Sequence, residues 1–598
     1  MANPLIDDRT VDFILHECLS ITDLLKLPRY SGHSRETLEM SLQTARKLAR
    51  ERLFPLYRAM DLDPALYRDG RVHTHPAMKE VYAQMAEAGF LSASRPSTVG
   101  GMELPHAAAL AMIAYLAAGN GSAYGFAGLT TGAAHLLESF GSDELKRTYM
   151  EPMYAGKWTG TMALTEPHAG SSLADVRTTA TPRPDGSYLI RGSKVFISGG
   201  DNTFSENIVH MVLARMDGAP AGTKGVSLFC VPRLRVEDGK LVENDCGPSG
   251  TFHKLGWKGL PSIALQMGDR GDCRGWLVGP ANQGLRCMFQ MMNEARLMVG
   301  VGAMAVASAA YHEALQYARD RPQGRALTNR DATTPQIPII QHADVRRMLL
   351  AQKAIVEGSL MLLLTCARYA DLMEASENEE ERSSARQMLD LLTPVAKTFP
   401  SEKGFEANAL AVQVLGGYGY TSEFLPESYL RDQKLNTIHE GTTGIQSMDL
   451  LGRKVLMDGG QSMRALVEVM EKDMAAAKET PRTAELADEL KAALDAWVEA
   501  LTVLGGRAAG GDIDAAMQNS VAHLELAGQA IVAWLWLRMA TVAERALPKA
   551  PEHDRAFYEG KLRAADYWFH HQLPRVYTLA TLLKREETSF TTMPLEAF

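Results

Sequence analysis

Long basic runs, paired cysteines, internal repeats and a leader-type start are all missing from this 598-residue chain. Its six cysteines (Cys18, Cys230, Cys246, Cys273, Cys287 and Cys366) are scattered, with no C-x-x-C pair. That pattern speaks against a disulfide framework or a zinc site and fits reduced cytosolic thiols. Lys and Arg number 62 against 71 Asp and Glu, a net charge of −9. An acidic balance argues against nucleic acid or an anionic membrane as the main partner. The start, Met1-Ala2-Asn3-Pro4 with Asp7, Asp8 and Arg9 close behind, lacks the profile of a signal peptide, so a cytoplasmic location is expected. From Leu104 to Leu137 there is no Asp, Glu, Lys or Arg. This stretch is rich in alanine and glycine and is broken at Gly119-Asn120-Gly121-Ser122, which predicts two packed core helices joined by a turn, not a membrane span.

Hydrophobic residues make up 46% of the chain and charged residues 22%, enough to build roughly three to four domains. Residues 1–40 read as an N-terminal extension and 41–157 as a helical domain, with three-and-four apolar spacing over Met40–Leu53 and Met78–Phe90. From 158 to 283 the texture changes to short β-rich runs: Tyr188–Arg191, Lys194–Ser198, Ile208–Leu213 and Gly225–Val231. Turn residues separate them, as in a small antiparallel sandwich or barrel. Helical periodicity returns over 284–457, with a polar helix–helix loop expected at Glu374–Arg386. After a break at Asp458-Gly459-Gly460, residues 461–598 read as an additional helical domain, punctuated by Pro481, Gly505-Gly506, Gly510-Gly511 and Pro548. A β module between two helical blocks is not a doubly wound pattern, which disfavours a Rossmann-type nucleotide site.

The most informative segment is Arg431–Gln446. Glu440 is followed by Gly441, by Thr442, which is an N-cap type residue, and by an apolar-periodic run through Ile445, Met448, Leu450 and Leu451. A carboxylate base beside oriented backbone donors suits removal of a proton α to a carbonyl. A plain glutamate complementing a helix dipole accounts for the same residues. Thr165-Glu166-Pro167-His168-Ala169-Gly170-Ser171-Ser172 reads as a tight loop offering N–H and hydroxyl groups. Lys194–Gly200 is a strand ending in glycines, where Phe196 either flanks a ring system or joins the β core. Arg321-Pro322-Gln323-Gly324-Arg325 follows a helix, and its arginines could clamp a pyrophosphate or simply be solvated. Gln413–Tyr420 ends another helix in glycines.

Together with Asn293-Glu294-Ala295-Arg296, the order and spacing of these motifs resembles the acyl-CoA dehydrogenase flavoprotein family over residues 45–455. The resemblance implies an N-terminal α domain, a middle β-barrel and a C-terminal four-helix bundle, here mainly α with a central β domain plus the extra helical domain. It implies FAD as cofactor, with no metal, and Glu440 as catalytic base. Leu164, Thr165, Ser171, Phe196, Ile197 and Ser198 match groups around the flavin ring and ribityl chain. Arg321, Gln413, Gly416 and Gly417 match those on its pyrophosphate and adenine, usually of the neighbouring subunit, and Thr442 matches a further FAD contact. Ser171, Asn293, Arg296 and Gly441 match segments along the thioester substrate. Two departures are Phe196 where many members have tryptophan and His168 where many have glycine; the Arg321 loop is also one residue shorter than in the medium-chain enzymes.

In the family, the thioester enolate is stabilised by the glutamate N–H and a ribityl hydroxyl, and the β-hydride passes to flavin N5, giving trans-2-enoyl-CoA. The resemblance therefore implies oxidation of medium- or long-chain acyl-CoA in β-oxidation, with an electron-transferring flavoprotein as acceptor. The extension and tail resemble a longer bacterial subgroup that includes 3-methylmercaptopropionyl-CoA dehydrogenase and broad-range fatty acyl-CoA dehydrogenases. An acyl-CoA oxidase, a flavin-containing nucleic-acid-binding relative and a purely structural helical protein are the alternatives. Leu524, Leu526, Ile531, Trp534, Leu535 and Met539 give the tail an apolar face that needs a partner. The main helical block is the expected one, in a homodimer, and an independent bundle on a linker is the alternative.

Overall fold

Ser34 opens the first long helix with a reciprocal cap: its hydroxyl accepts the Thr37 N–H and the Thr37 hydroxyl accepts the Ser34 N–H. That helix, α1 (Arg35–Leu48), buries Leu38, Leu42 and Ala45, the three-and-four stripe expected of an amphipathic segment. The structure is a computed structural model describing residues 3–329, 331–586 and 588–598. It divides into two units, His33–Met298 and a second made of Met1–Gly32 with Val299–Phe598.

In the first unit, α2 (Met78–Glu87) and α3 (His106–Phe140) follow, with the shorter helix Phe54–Leu62 ahead of them. The break expected in the charge-poor stretch is present at Asn120, but as a kink between two helical segments and not as a turn. Only Asn120 leaves helical dihedrals (φ −162°, ψ 96°), and its side chain accepts the Ala123 N–H, restarting the helix at once. Gly119 serves a close approach instead, since a Cβ there would sit 2.8 Å from the Ala49 carbonyl oxygen.

The β part comprises β1 (Thr159–Ala163), β2 (Thr179–Pro182), β3 (Tyr188–Ser198), β4 (Ile208–Met216), β5 (Val226–Pro232), β6 (Cys246–Thr251), β7 (Ser262–Met267) and β8 (Arg274–Val278). Strands β2, β3, β8, β5 and β4 pair in turn, and β4 returns to β2, so this ring closes as a barrel. Ala180, Ile190, Val212, Phe229 and Val231 fill it. The expected antiparallel order holds except at β4, whose one edge carries β1 and then β2, both parallel to it. The 164–178 loop leaves the edge after Ala163, opposite Val212, and rejoins it at Thr179, opposite Arg215, so both strands run along it in the same direction. Tyr188–Arg191 and Lys194–Ser198, expected as separate runs, form the single strand β3.

In the second unit, the helix α4 (Gly284–Asp320) continues from Val299, followed by α5 (Ala343–Ala375), α6 (Glu379–Leu415), α7 (Pro426–Leu435) and α8 (Thr443–Met448). The Glu374–Arg386 loop is corrected: α5 runs to Ala375, and Glu379 already begins α6. Asn378 caps that start through the Glu380 and Glu381 N–H groups, and three glutamates in the first turn complement the helix dipole. The charge density marked a helix start, not a loop.

The longest of the further helices in this unit are α9 (Gln461–Ala477), α10 (Pro481–Ala509), α11 (Ser520–Ala546) and α12 (Glu552–Tyr567). Gly505 and Gly506 lie inside α10 and do not break it. Leu524, Leu526, Ile531, Trp534, Leu535 and Met539 of α11 are all buried. The Trp536 indole N–H donates to the Ala354 carbonyl of α5, and Phe399 of α6 packs edge-on against Trp568. The tail is thus packed onto the main helical block and is not a tethered bundle. The N-terminal segment is tied in as well: Tyr30 donates to Asp371, and Thr10 meets the buried Glu357–Lys561 pair. Stretches within Ala343–Ala375 and Ile513–Lys549 are long and apolar enough to cross a membrane, but each is 89% buried inside the protein.

Candidate functional site

Glu440 sits in the turn between α7 and α8 with φ +54°, and Gly441 follows at φ +90°. Left-handed backbone at a glutamate costs about 1–2 kcal/mol and persists only where the surroundings impose it. They do so here. Lys397 of α6, fully buried, donates to the carbonyl oxygens of Asn436 (2.7 Å) and Gly441 (2.9 Å). The Gln446 side-chain amide donates to the Glu440 carbonyl at 3.0 Å. Gly441 is required twice, by its dihedral and because a Cβ would fall 2.5 Å from that same amide nitrogen. Glu440 itself is half-buried.

The expectation that the start of α8 leaves its N–H groups for a ligand is partly corrected. Thr442 caps the helix, its hydroxyl taking the Ile445 N–H, while the Thr443 N–H goes to the Thr437 carbonyl. The Thr442 hydroxyl is therefore already engaged as an acceptor.

In the same unit, Arg321, Gly416 and Gly417 line one cavity of about 530 Å³ together with Tyr317, Ile339 and Tyr418. Gln413 is exposed one turn earlier on α6, its carbonyl accepting the Gly416 N–H. Arg321 is exposed, and its guanidinium makes no hydrogen bond or ion pair among the described residues. Arg325 is different: it donates to the Thr334 and Ala332 carbonyls and is spent on its own loop. Of the two arginines in the motif, Arg321 is the one that remains for an anionic ligand.

In the other unit, the Thr165–Ser172 loop joins β1 to β2, and the Val195 N–H of β3 donates to the Thr165 carbonyl at 2.9 Å. Phe196 has φ +59° and is 61% exposed, its ring 4.5 Å from that of Phe252 and tilted to it by 32°. It is no part of the β core, while its neighbour Ile197 is. The hydroxyls of Thr165, Ser171 and Ser198 make no hydrogen bond among the described residues. Each unit by itself carries groups that suit part of a flavin dinucleotide: free hydroxyls beside an exposed planar ring in one, an unspent arginine beside a cavity in the other.

What fixes that loop is a pair of residues whose role the sequence did not disclose. The Glu166 carboxylate is buried, 2.8 Å from the fully buried Lys194 ammonium, and also accepts from the Thr178 hydroxyl and the Arg177 and Thr178 N–H groups. Burial acts to raise the Glu166 pKa, but Lys194 and these bonds outweigh it and hold the carboxyl below its usual range. Burial pushes Lys194 down to about 8, against the pull of Glu166. Lys194 also donates to the Leu164 carbonyl at 3.0 Å. Its signal was a charged residue on the inward side of an apolar strand. Further along this unit, Arg296 is 3% exposed and lies one helical turn from the exposed Asn293, with Nη1 3.5 Å from its Oδ1.

Family models describe almost the whole chain. Residues 35–157 match the acyl-CoA dehydrogenase N-terminal domain, 161–269 the middle domain and 282–456 the C-terminal domain. Residues 463–594 match an acetyl-CoA dehydrogenase C-terminal-like domain. The chain is 38% identical to the 3-methylmercaptopropionyl-CoA dehydrogenase of Ruegeria pomeroyi, over 93% of its own length and 94% of the relative's. It is 34% identical to the broad-specificity linear acyl-CoA dehydrogenase FadE5 of Mycobacterium tuberculosis, covering 94% of each. Among solved structures, Caenorhabditis elegans ACDH-11 in complex with C11-CoA superposes with a TM-score of 0.81 at 19% identity, over 100% of this chain and 96% of that one. With this coverage by family models and full-length relatives, the chain belongs to the acyl-CoA dehydrogenase family.

Proposed function

We propose that the protein oxidises the Cα–Cβ bond of an acyl-CoA thioester to a trans-2-enoyl-CoA, with Glu440 as the base and FAD as cofactor. The observation that supports this best is the Glu440 turn, a half-buried carboxylate on strained backbone held by a buried lysine. Such strain is sustained where a side chain must be aimed. Leu164, Thr165, Ser171, Phe196, Ile197 and Ser198 would hold the flavin ring and ribityl chain. Arg321, Gln413, Gly416 and Gly417 would hold its pyrophosphate and adenine, and Thr442 a further contact. Bound FAD supplies the two-electron acceptor for the hydride leaving Cβ.

The chain's own work is to take the α-proton on a Glu440 carboxylate oxygen and to place the Glu440 N–H at the carbonyl oxygen as negative charge develops there. A solvated carboxylate is a weak base for this proton, so the acyl chain must also exclude water from it. Ser171, Asn293, Arg296 and Gly441 are assigned to the thioester and its CoA arm. Phe196 would wall the flavin from water.

A cavity at Arg321 serving the partner's flavin makes a homodimer the smallest active form. An electron-transferring flavoprotein is the assigned acceptor, and cytoplasmic β-oxidation of medium- or long-chain acyl-CoA the assigned setting. The 38% identity to an enzyme named for 3-methylmercaptopropionyl-CoA favours that methylthio thioester as the second reading. A turnover panel from short to long acyl-CoA, including this thioester, decides between them. Hydrogen peroxide formed without an added acceptor would instead indicate an oxidase. The base is tested by stopped-flow bleaching of the flavin. Glu440→Gln should keep its yellow colour and bind acyl-CoA, with bleaching slowed roughly 10²–10⁴-fold. Bleaching near the wild-type rate would place the base elsewhere.

A further inference from the structure

A second cavity, of about 120 Å³, lies in the unit that holds the helical bundle, far smaller than the one at Arg321. Its walls come from three parts of the chain: Leu19 of the N-terminal segment, Thr365 and Arg368 of α5, and Asp473 and Arg538 of the additional helices. The volume compares with roughly 30 Å³ for one water in the liquid, so it suits a group of a few heavy atoms and excludes a nucleotide or a flavin.

The charges do not balance inside it. Asp473 is committed: its Oδ2 accepts from the Trp534 indole N–H at 2.6 Å and from Arg538 Nε at 3.3 Å. Arg538 also reaches the Cys18 carbonyl, at 3.5 Å. Arg368 has no such carboxylate. Its Nε is buried without a hydrogen-bond partner among the described residues. Asp23, the acid that senses Arg368 electrostatically, is bonded to Lys26 at 2.7 Å. The one carboxylate that lines the cavity is thus taken by Arg538, and the Arg368 charge beside it is left unmatched among the described residues.

Thr365 points the same way. It is 3% exposed, and its hydroxyl has no hydrogen-bond partner among the described residues. A helical serine or threonine ordinarily returns its hydroxyl to the carbonyl four residues back. Ser359 does so on the same helix, to Ile355 at 2.7 Å, and Thr541 does so on α11, to Leu537 at 2.8 Å. Thr365 instead lines the cavity. A water could accept from either group but would not balance the guanidinium charge, and that planar donor fork matches an oxyanion.

We propose that this cavity binds a small oxyanion, a phosphate or a short carboxylate, through Arg368 and Thr365 with Arg538 at its rim. The anion bridges the N-terminal segment, the bundle and the additional helices, so its binding stabilises their packing. The test is thermal unfolding and calorimetry on the full-length, flavin-loaded protein. Inorganic phosphate, acetate and chloride are titrated at matched ionic strength, which separates the two anion sources from plain salt. Phosphate or acetate should raise the melting temperature saturably where chloride does not. Arg368→Gln should weaken the anion at least about ten-fold, and Thr365→Val, which keeps the volume and cannot unbalance a charge, a few-fold. A wild-type response no greater than chloride's would overturn the proposal. So would a phosphate or acetate response equally strong in both variants, since that would locate the anion elsewhere, for instance at Arg321.

Discussion

Lys397→Met tests whether the Glu440 turn is held in place by the residue that touches it. Methionine keeps much of the volume and removes the ammonium group, and with it the bonds to the Asn436 and Gly441 carbonyls at 2.7 and 2.9 Å. A hydrogen bond to a charged group is worth about 1.5–3 kcal/mol, and leaving a buried carbonyl unsatisfied costs about 1–3 kcal/mol. Removing the buried charge itself returns part of this, because desolvation of an ammonium is expensive. The net expectation is a loss of about 2–4 kcal/mol in global stability. The sharper consequence lies in catalysis. Without Lys397 the strained φ of Glu440 has lost its main constraint, and the carboxylate relaxes. A displacement of about 1 Å at a reacting group costs on the order of 10² in rate. The assay is flavin bleaching by acyl-CoA under single turnover, alongside flavin content and thermal unfolding of the same preparation. The expected pattern is retained FAD, substrate affinity within a few-fold of wild type, and bleaching slowed about 10²-fold. Loss of stability alone, with the bleaching rate unchanged, would refute the reasoning, because it would show Lys397 supports the fold and not the aim of Glu440.

Two further outcomes follow from other parts of the molecule. Arg321→Ala removes the unspent guanidinium at the 530 Å³ cavity, so the variant should purify with flavin and lose it on dilution; flavin retention equal to wild type, measured by absorbance after gel filtration, would contradict the assigned clamp. Glu357 is fully enclosed by Lys353 and Lys561, and although burial acts to raise its pKa, the two lysines bring the carboxyl down to about 2 from an ordinary 4.5. A depressed carboxyl stabilises the fold above its unfolded pKa and loses that contribution as pH falls through the folded one, here between about 4.5 and 2. The gap corresponds to about 3 kcal/mol at neutral pH. Glu357→Gln should therefore unfold at lower urea at pH 7 and show a flatter acid limb; a variant as stable as wild type at pH 7 would show that the lysines do not need this partner.

How much of this was legible in the sequence depends on whether the deciding interaction was local. The Glu440–Thr442 motif was, because a cap, a glycine and an apolar run all lie within a dozen residues, and α8 starts where they indicate. The apolar stripe of α11 was legible too, since periodicity alone says that Trp534 and Leu535 must be covered. Local signals misled where two structures share one composition. Acidic residues at Glu379–Glu381 are the signature of a helix start as well as of a loop, and only the Asn378 cap tells them apart. Gly505-Gly506 looked like a break, yet glycine inside a long helix costs only about 1 kcal/mol per residue, which the packing of α10 absorbs.

The ties that hold the candidate site were out of reach for a different reason. Lys194 meets Glu166 across 28 residues, and Lys397 meets Asn436 and Gly441 across 39 and 44. Periodicity reports which face of an element is buried and says nothing about what that face meets. The lysines themselves were nonetheless visible as anomalies. Lys397 stands in α6 between Pro394 and Pro400, in a run whose other members are all buried. A charge placed in such a run costs several kcal/mol unless it is spent on something specific. Here it is spent on two backbone carbonyls of the turn that carries Glu440. A buried lysine that donates to backbone carbonyls is therefore a pointer to backbone held against its preference, and the place to look for that backbone is beside the residue expected to do the chemistry.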